Sequence, residues 1–256
     1  EYSITQTPLN EQDLKTMSEA VEVLRQFKGF SYFTEMSDII NRLEDHVASA
    51  RMKTTPIIDF EKNESLKGLD YLDTIYHAIV NEHPIQLKYR SFKARSANSF
   101  IFYPYLLKEY RNRWFVYGVR GNGRILQNLA LDRIQSLEVL PQEHYIKNTF
   151  FDPNTFFDDL VGVTKNSGSV AEKVGFKVAA AEAPYIITKP IHRSQQLVER
   201  LPDGSVILEI EVVINHELER VFFGYVDGIE ILYPKTLVEL MSRKLEKAAK
   251  QYTKSK

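Results

Sequence analysis

From Ile85 onward apolar and polar residues alternate with a period of two. Ile85, Leu87 and Tyr89 interleave with Gln86, Lys88 and Arg90, the pattern of a strand with one buried face. Further strand-like runs follow at Phe100 to Leu107, Trp114 to Val119, Arg124 to Leu129 and Gln135 to Leu140. Arg111-Asn112 and Gly121-Asn122-Gly123 punctuate them, the second a strong hairpin signal. Pro104 predicts that its strand is kinked or lies at an edge. Leu131 to Ile134 reads as a single helical turn. Five short strands with a turn of helix before the fifth predict a small SH3-like or Sm-like β-barrel. In the third strand Trp114, Val116 and Gly118 share one face, and Arg113, Phe115 and Tyr117 the other. Large apolar groups on both faces predict that neither is fully wet, the second being covered by helices, by another domain or by a ligand.

On either side the period lengthens. Asn10 is a candidate N-cap for a helix on the stripe Leu14, Met17, Val21 and Leu24, ended near Gly29. A second helix follows on Met36, Ile39, Ile40, Leu43 and Val47. Thr54 to Lys67 is polar and reads as a linker, and a third helix from Gly68 to Asn81 carries Leu69, Leu72, Ile75 and Ile79 until Pro84 stops the run. After an irregular stretch from Gln142 to Ser169 the order becomes strand (Lys173 to Ala179), helix (Ala181 to Ile187) and two strands (Gln195 to Arg200, Ser205 to Ile214). A helix (His216 to Tyr225), a strand (Gly228 to Tyr233) and a closing helix (Thr236 to Tyr252) complete it. That βαββαβ order with an added helix is ferredoxin-like. The expected class is α+β: a helical linker or dimerisation segment over 1–67, the barrel with its leading helix over 68–141, a linker over 142–171 and the ferredoxin-like domain over 172–256. The narrow helical stripes either pack on each other or form a dimer seam; with the open sheet edges they predict a homodimer.

Charge sharpens the picture. Between Ile85 and Arg133 ten basic residues face only Glu109 and Asp132, a local +8 in a chain whose formal total is −1. Such an excess either solvates an outer face or attracts phosphates and other anions. Arg113, flanked by aromatic residues, suits gripping an anion or stacking on a base. Arg133 follows Asp132, so an internal ion pair and a ligand contact are both open for it. Trp114 is read as core or as a ligand platform.

Candidates for catalysis are weak. The six histidines are scattered without the spacing of a metal site, and there is no cysteine for a thiolate, a disulfide or a Cys-based metal site. Gly121-Asn122-Gly123-Arg124 joins two strands, where a phosphate loop opens a helix. Asp158-Asp159 is read as a solvated tip, and His192 with Ser194 lacks a third orienting group. No enzyme activity, metal or cofactor is expected. No apolar run approaches the roughly 18 residues of a membrane span, and the absence of cysteine fits a reducing cytoplasm. A first residue other than Met is read as the mark of a fragment.

Three runs in order, Tyr103-Pro104-Tyr105-Leu106, Asn112-Arg113-Trp114-Phe115-Val116 and Leu129-Ala130-Leu131-Asp132-Arg133-Ile134, resemble the WYL domain of bacterial transcriptional regulators. Trp114-Phe115-Val116 stands at the name-giving Trp-Tyr-Leu, with Phe and Val in place of Tyr and Leu. The second domain resembles that family's C-terminal extension through His192, Ser194 and Gln195 in an H-x-S-Q pattern, and through Phe223-Gly224 to Ile231-Leu232-Tyr233-Pro234. The resemblance implies a module that senses a nucleic-acid or nucleotide-like anion and reports to a winged helix-turn-helix DNA-binding domain upstream. The contacts it implies are Tyr89, Arg113, Trp114, Tyr117, Arg124 and Arg133. Many members carry an Arg shortly before the barrel Pro, where this chain has Phe100 and Phe102; that phosphate contact is then either absent or supplied by Arg90, Arg95 or Arg111. The alternative function is a stand-alone β-barrel that binds single-stranded nucleic acid.

Overall fold

The computed structural model describes residues 67–121, 123 and 125–253. The two helices expected before residue 50, and all but the last residue of the linker expected over 54–67, lie outside the described residues. The chain divides after Lys147 into two compact units, each an antiparallel sheet with helices, so the class is α+β.

The first unit opens with a 3-10 turn, Leu69–Tyr71, leading into helix α1, Leu72–Val80. Leu72, Ile75 and Ala78 form its buried stripe. Five strands follow: β1 (Ile85–Tyr89), β2 (Asn98–Tyr110), β3 (Arg113–Arg120), β4 (Leu126–Ala130) and β5 (Ile134–Val139). They lie in the order β4-β3-β2-β1-β5. A 3-10 turn, Leu131–Arg133, carries the chain from one end of that order to the other. Among the described residues no ladder joins β4 to β5, so the hydrogen-bonded sheet stays open where a closed barrel was expected. Ile85, Leu87, Phe102, Val116 and Leu131 close over Leu72 and Ile75 as one core. In β1 the alternation is obeyed, with Ile85 and Leu87 enclosed and Lys88 exposed.

Pro104 explains the shape of β2. β1 pairs with β2 only from Asn98 to Phe102, so at Pro104 the strand has a partner on the β3 side alone. A residue without an N–H is tolerated where no ladder bond is needed. The register to β3 shifts between Pro104 and Leu106. β2 is thus kinked, but it lies in the middle of the sheet and is longer at both ends than its apolar run. The turn from β2 to β3 needs left-handed backbone at both Arg111 (φ 50°) and Asn112 (φ 58°), as a tight hairpin does.

The second unit runs β6 (Glu172–Val178), α2 (Ala183–Thr188), β7 (Gln196–Arg200), β8 (Val206–Val212), α3 (His216–Phe223), β9 (Ile229–Tyr233) and α4 (Lys235–Thr253). Its sheet order is β7-β8-β6-β9. Val174, Phe176 and Val178 alternate into a core with Leu208, Ile210, Ile186, Leu218 and Phe222. The Phe176 and Phe222 rings meet edge to face at 5.3 Å. On the opposite face of β6 the Tyr233 ring lies so close to Gly175 that a Cβ there would fall 2.1 Å from it. Asn215 caps α3 by accepting from the Leu218 N–H, while its amide donates to the carbonyls of Val161 and Thr164.

The stretch read as a linker is taken up by both units. Within the first, Tyr145 donates to the Pro104 carbonyl and Lys147 pairs with Glu82. Within the second, Asp158 and Asp159 are ion-paired to Arg193 (2.6 Å) and Lys165 (2.8 Å). The solvated tip expected of these two aspartates is therefore a fastening point. His192 and Ser194 fasten too: Ser194 Oγ lies 2.7 Å from His192 Nδ1, accepts from the Glu211 N–H and donates to the Glu211 carbonyl.

Candidate anion-binding site

The turn at Leu131–Arg133 places the charges of the first unit. Gly68, at φ 85°, lies against its backbone, where a Cβ would fall 2.4 Å from the Leu131 carbonyl carbon. Only glycine meets both demands, the left-handed dihedral and the close approach. On the other side the Arg90 N–H donates to the Arg133 carbonyl at 3.1 Å. The β1–β5 register shifts between Lys88 and Tyr89 and sets Tyr89 opposite Ile134, a bulge that re-aims a side chain. The Tyr89 hydroxyl meets the Arg133 guanidinium and the backbone of Ala130; burial pushes its pKa up, the Arg133 charge opposing.

Two guanidinium groups share one carboxylate. Arg113 Nε is 3.3 Å from Asp132 Oδ2, and Arg133 Nε is 3.8 Å from Asp132 Oδ1. The second distance is too long for a hydrogen bond. Asp132 Oδ1 and Arg133 Nε are accordingly buried with no hydrogen-bond partner. A buried polar group left in that state costs roughly 1–3 kcal/mol. Two cations thus face one carboxylate, a net of +1. Among the described residues Lys88, Arg90, Lys93, Arg95, Arg111 and Arg120 have no carboxylate at ion-pair distance. The acidic remainder of the described chain thus leaves the surplus standing.

Of the residues named from the sequence, Tyr89, Arg113 and Arg133 come together around Asp132, whereas Arg90 meets the turn through its backbone and donates its Nε–H to the Ala94 carbonyl at 3.5 Å. Trp114 is half-buried and packs against the core, and Tyr117 is enclosed at 2% exposure. Arg124 lies outside the described residues. Sequence reasoning missed Phe92, whose ring carries the Arg133 guanidinium at 4.4 Å from its centroid. It also missed that Asp132 joins Arg113 to Arg133. The signal was available in the β3–β4 register, which pairs Phe115 with Ala130 and, extended two places, sets Arg113 opposite Asp132. Two further pairs of this kind lie in the unit, Arg120 over Phe100 at 4.0 Å and Arg111 over Tyr110 at 5.5 Å.

The arrangement offers fixed hydrogen-bond donors and positive charge, suited to phosphate or carboxylate oxygens. It holds no nucleophile beside a base. Among the described residues no three His, Asp or Glu side chains are grouped as metal ligands, and no helix is long and apolar enough to cross a membrane.

Comparison with known proteins places these units. Residues 70–139 match the WYL domain model and residues 171–249 the WCX domain model. Among solved structures the chain is similar to proteasome accessory factor B/C (PafBC) of Arthrobacter aurescens, at 17% identity and a TM-score of 0.30 over 75% of this chain and 28% of that one. It is also similar to a CRISPR Cas-related protein, at 12% identity and a TM-score of 0.44 over 73% of this chain and 52% of that one. The chain therefore spans about a quarter of the first structure's length and about half of the second's. A search of curated proteins gave no match. With a WYL domain followed by a WCX domain, the pairing typical of WYL-domain transcriptional regulators, the chain belongs to the WYL-domain family.

Proposed function

We propose that this chain is the effector-sensing and dimerising region of a bacterial transcriptional regulator. Its WYL unit takes a nucleic-acid or nucleotide-like anion and controls a DNA-binding domain outside this sequence. The reading is of a cytoplasmic, non-enzymatic protein without cofactor, its first unit a variant of the SH3-like or Sm-like strand order and its second ferredoxin-like. The observation that carries it is the convergence of Arg113 and Arg133 on a single aspartate beside Tyr89. An anion's oxygens would relieve two cations of sharing one partner. Because the turn bearing Asp132 and Arg133 links β4 to β5 and abuts Gly68 just before α1, a ligand that shifts it would move the segment through which an upstream domain is attached. His192 and Ser194, the nearest thing to a catalytic pair, are both spent on holding backbone, which supports the non-enzymatic reading.

The test is a binding screen of single-stranded DNA, RNA and nucleotides against the 256-residue chain. Arg113→Ala and Arg133→Ala are each expected to weaken the best ligand about tenfold or more, the scale of a charge-assisted hydrogen bond. Lys247→Ala, on α4 of the other unit, is expected to change nothing. Unchanged affinity in both arginine variants would remove the site.

A further inference from the structure

Phe92 lies in the loop between β1 and β2 with 74% of its surface exposed, the only phenylalanine so exposed among the described residues. It is held from one side only. The Arg133 guanidinium covers one region of the ring at 4.4 Å, and among the described residues no other ring or cation meets it. An aromatic ring left in water beside a guanidinium that reaches the aspartate it shares with Arg113 is a poor way to stabilise a fold. It is a good way to hold a flat, apolar, π-rich group next to a negative charge.

A nucleobase with its phosphate is that ligand. Arg90, Lys93 and Arg95 flank Phe92 in sequence, are exposed, and have no carboxylate partner among the described residues. With Arg113 and Arg133 this is more positive charge than one mononucleotide's phosphate needs, so a strand with successive phosphates fits better than a free nucleotide. The bases of a duplex are already stacked on one another; only an unpaired strand offers a free face to a protein ring. We infer that Phe92 is a base-stacking platform: one base of a single-stranded nucleic acid lies on its free surface while the adjoining phosphates pair with Arg133 and Arg113. The inference rests on the anion-site reading proposed above and adds to it the residue that selects an unpaired base.

The experiment measures fluorescence anisotropy of a labelled oligodeoxynucleotide of about ten nucleotides, a length one such groove can track, on the full chain. Competitors are inorganic tripolyphosphate, an abasic strand of equal charge and the matching duplex. Phe92→Ala and Phe92→Leu are expected to lose about fivefold to a hundredfold in affinity for the oligonucleotide, the range seen for loss of a stacked base. Phe92→Trp retains binding. Tripolyphosphate competes equally against the parent and Phe92→Ala, because its contacts are with the guanidinium groups alone. The abasic strand and the duplex bind the parent weakly. The exposed position of Phe92 leaves the fold undisturbed, and a thermal melt of each variant verifies this. If Phe92→Ala binds the oligonucleotide as the parent does, or loses oligonucleotide and tripolyphosphate alike, the stacking role is overturned while the anion site stands. If the parent binds neither oligonucleotide nor tripolyphosphate, the anion site and the stacking role both fall.

Discussion

The two units use charge in opposite ways. In the second, six of the described cations each have a carboxylate of their own: Arg193 with Asp158, Lys165 with Asp159, Lys173 with Glu209, Lys177 with Asp203, Lys235 with Glu239 and Lys244 with Glu219. In the first, Arg113 and Arg133 divide one aspartate, and most of the remaining basic residues have no described carboxylate partner. Exposed ion pairs contribute little to stability, so neither pattern explains why its unit folds; the apolar clusters do that. The difference bears on what each unit is left able to do. A surface whose cations are offset by carboxylates exerts little pull on anions, whereas one with cations in excess draws them from solution.

The sharpest way to break the comparison is to damage the second unit's core and ask whether the first notices. Phe176→Ala empties a fully enclosed site against Phe222 and is expected to cost about 3–5 kcal/mol, read as a large drop in the urea midpoint. Anion binding, measured at low temperature where the variant remains folded, should persist. Loss of both together would show that the site is not a property of the first unit. A smaller effect, of opposite sign, tests the surplus itself. Asp132→Asn keeps the shape and removes the competing charge, so affinity for an anionic ligand should rise by about fivefold, the equivalent of ~1 kcal/mol for a half-screened pair. Weaker binding in that variant would mean Asp132 organises the arginines for the ligand rather than competing with it.

The smallest effect comes from His192. Burial, with Arg193 adding to it, lowers its pKa below the ordinary 6.5; contacts with the Asp158 backbone and the charges of Asp158 and Asp159 oppose this. Its Nδ1 accepts from the Ser194 N–H, a bond that protonation there removes. Since the unfolded chain binds that proton more readily, this group's contribution is complete above about pH 6.5 and is lost as pH falls through the lower, folded value. Thermal melts at pH 7.5 and 5.5 should show the second unit losing stability on acidification, and losing less of it in His192→Gln.

The second unit was largely legible in its sequence. Val174, Phe176 and Val178 alternate without interruption, and the sequence boundaries of β9 and α4 fall within one residue of the observed ones. In the first unit the strands and their turns were legible, but the closure of the barrel was not. Whether two ends of a sheet meet depends on twist and on the path of a three-residue turn, neither of which leaves a periodic trace. Pro104 carried half the answer: it marked a kink, and only the short reach of β1 explains how a central strand holds it. The site divided in the same manner. The local excess of basic residues was plain in composition, and Arg113 and Arg133 were singled out from it. Phe92 sits in a loop of small and basic residues without periodicity, so its pairing with Arg133 is a tertiary fact. Trp114 and Tyr117 illustrate the converse: large aromatic residues in a strand go to the interior first, whatever else they neighbour.

The most direct test of the surplus-charge account is the dependence of oligonucleotide affinity on salt in the parent chain and in Arg133→Ala. The account predicts that log affinity falls linearly with log salt and that the variant's slope is shallower by about 0.7, one phosphate contact on a single strand. Parallel lines of equal affinity would contradict it.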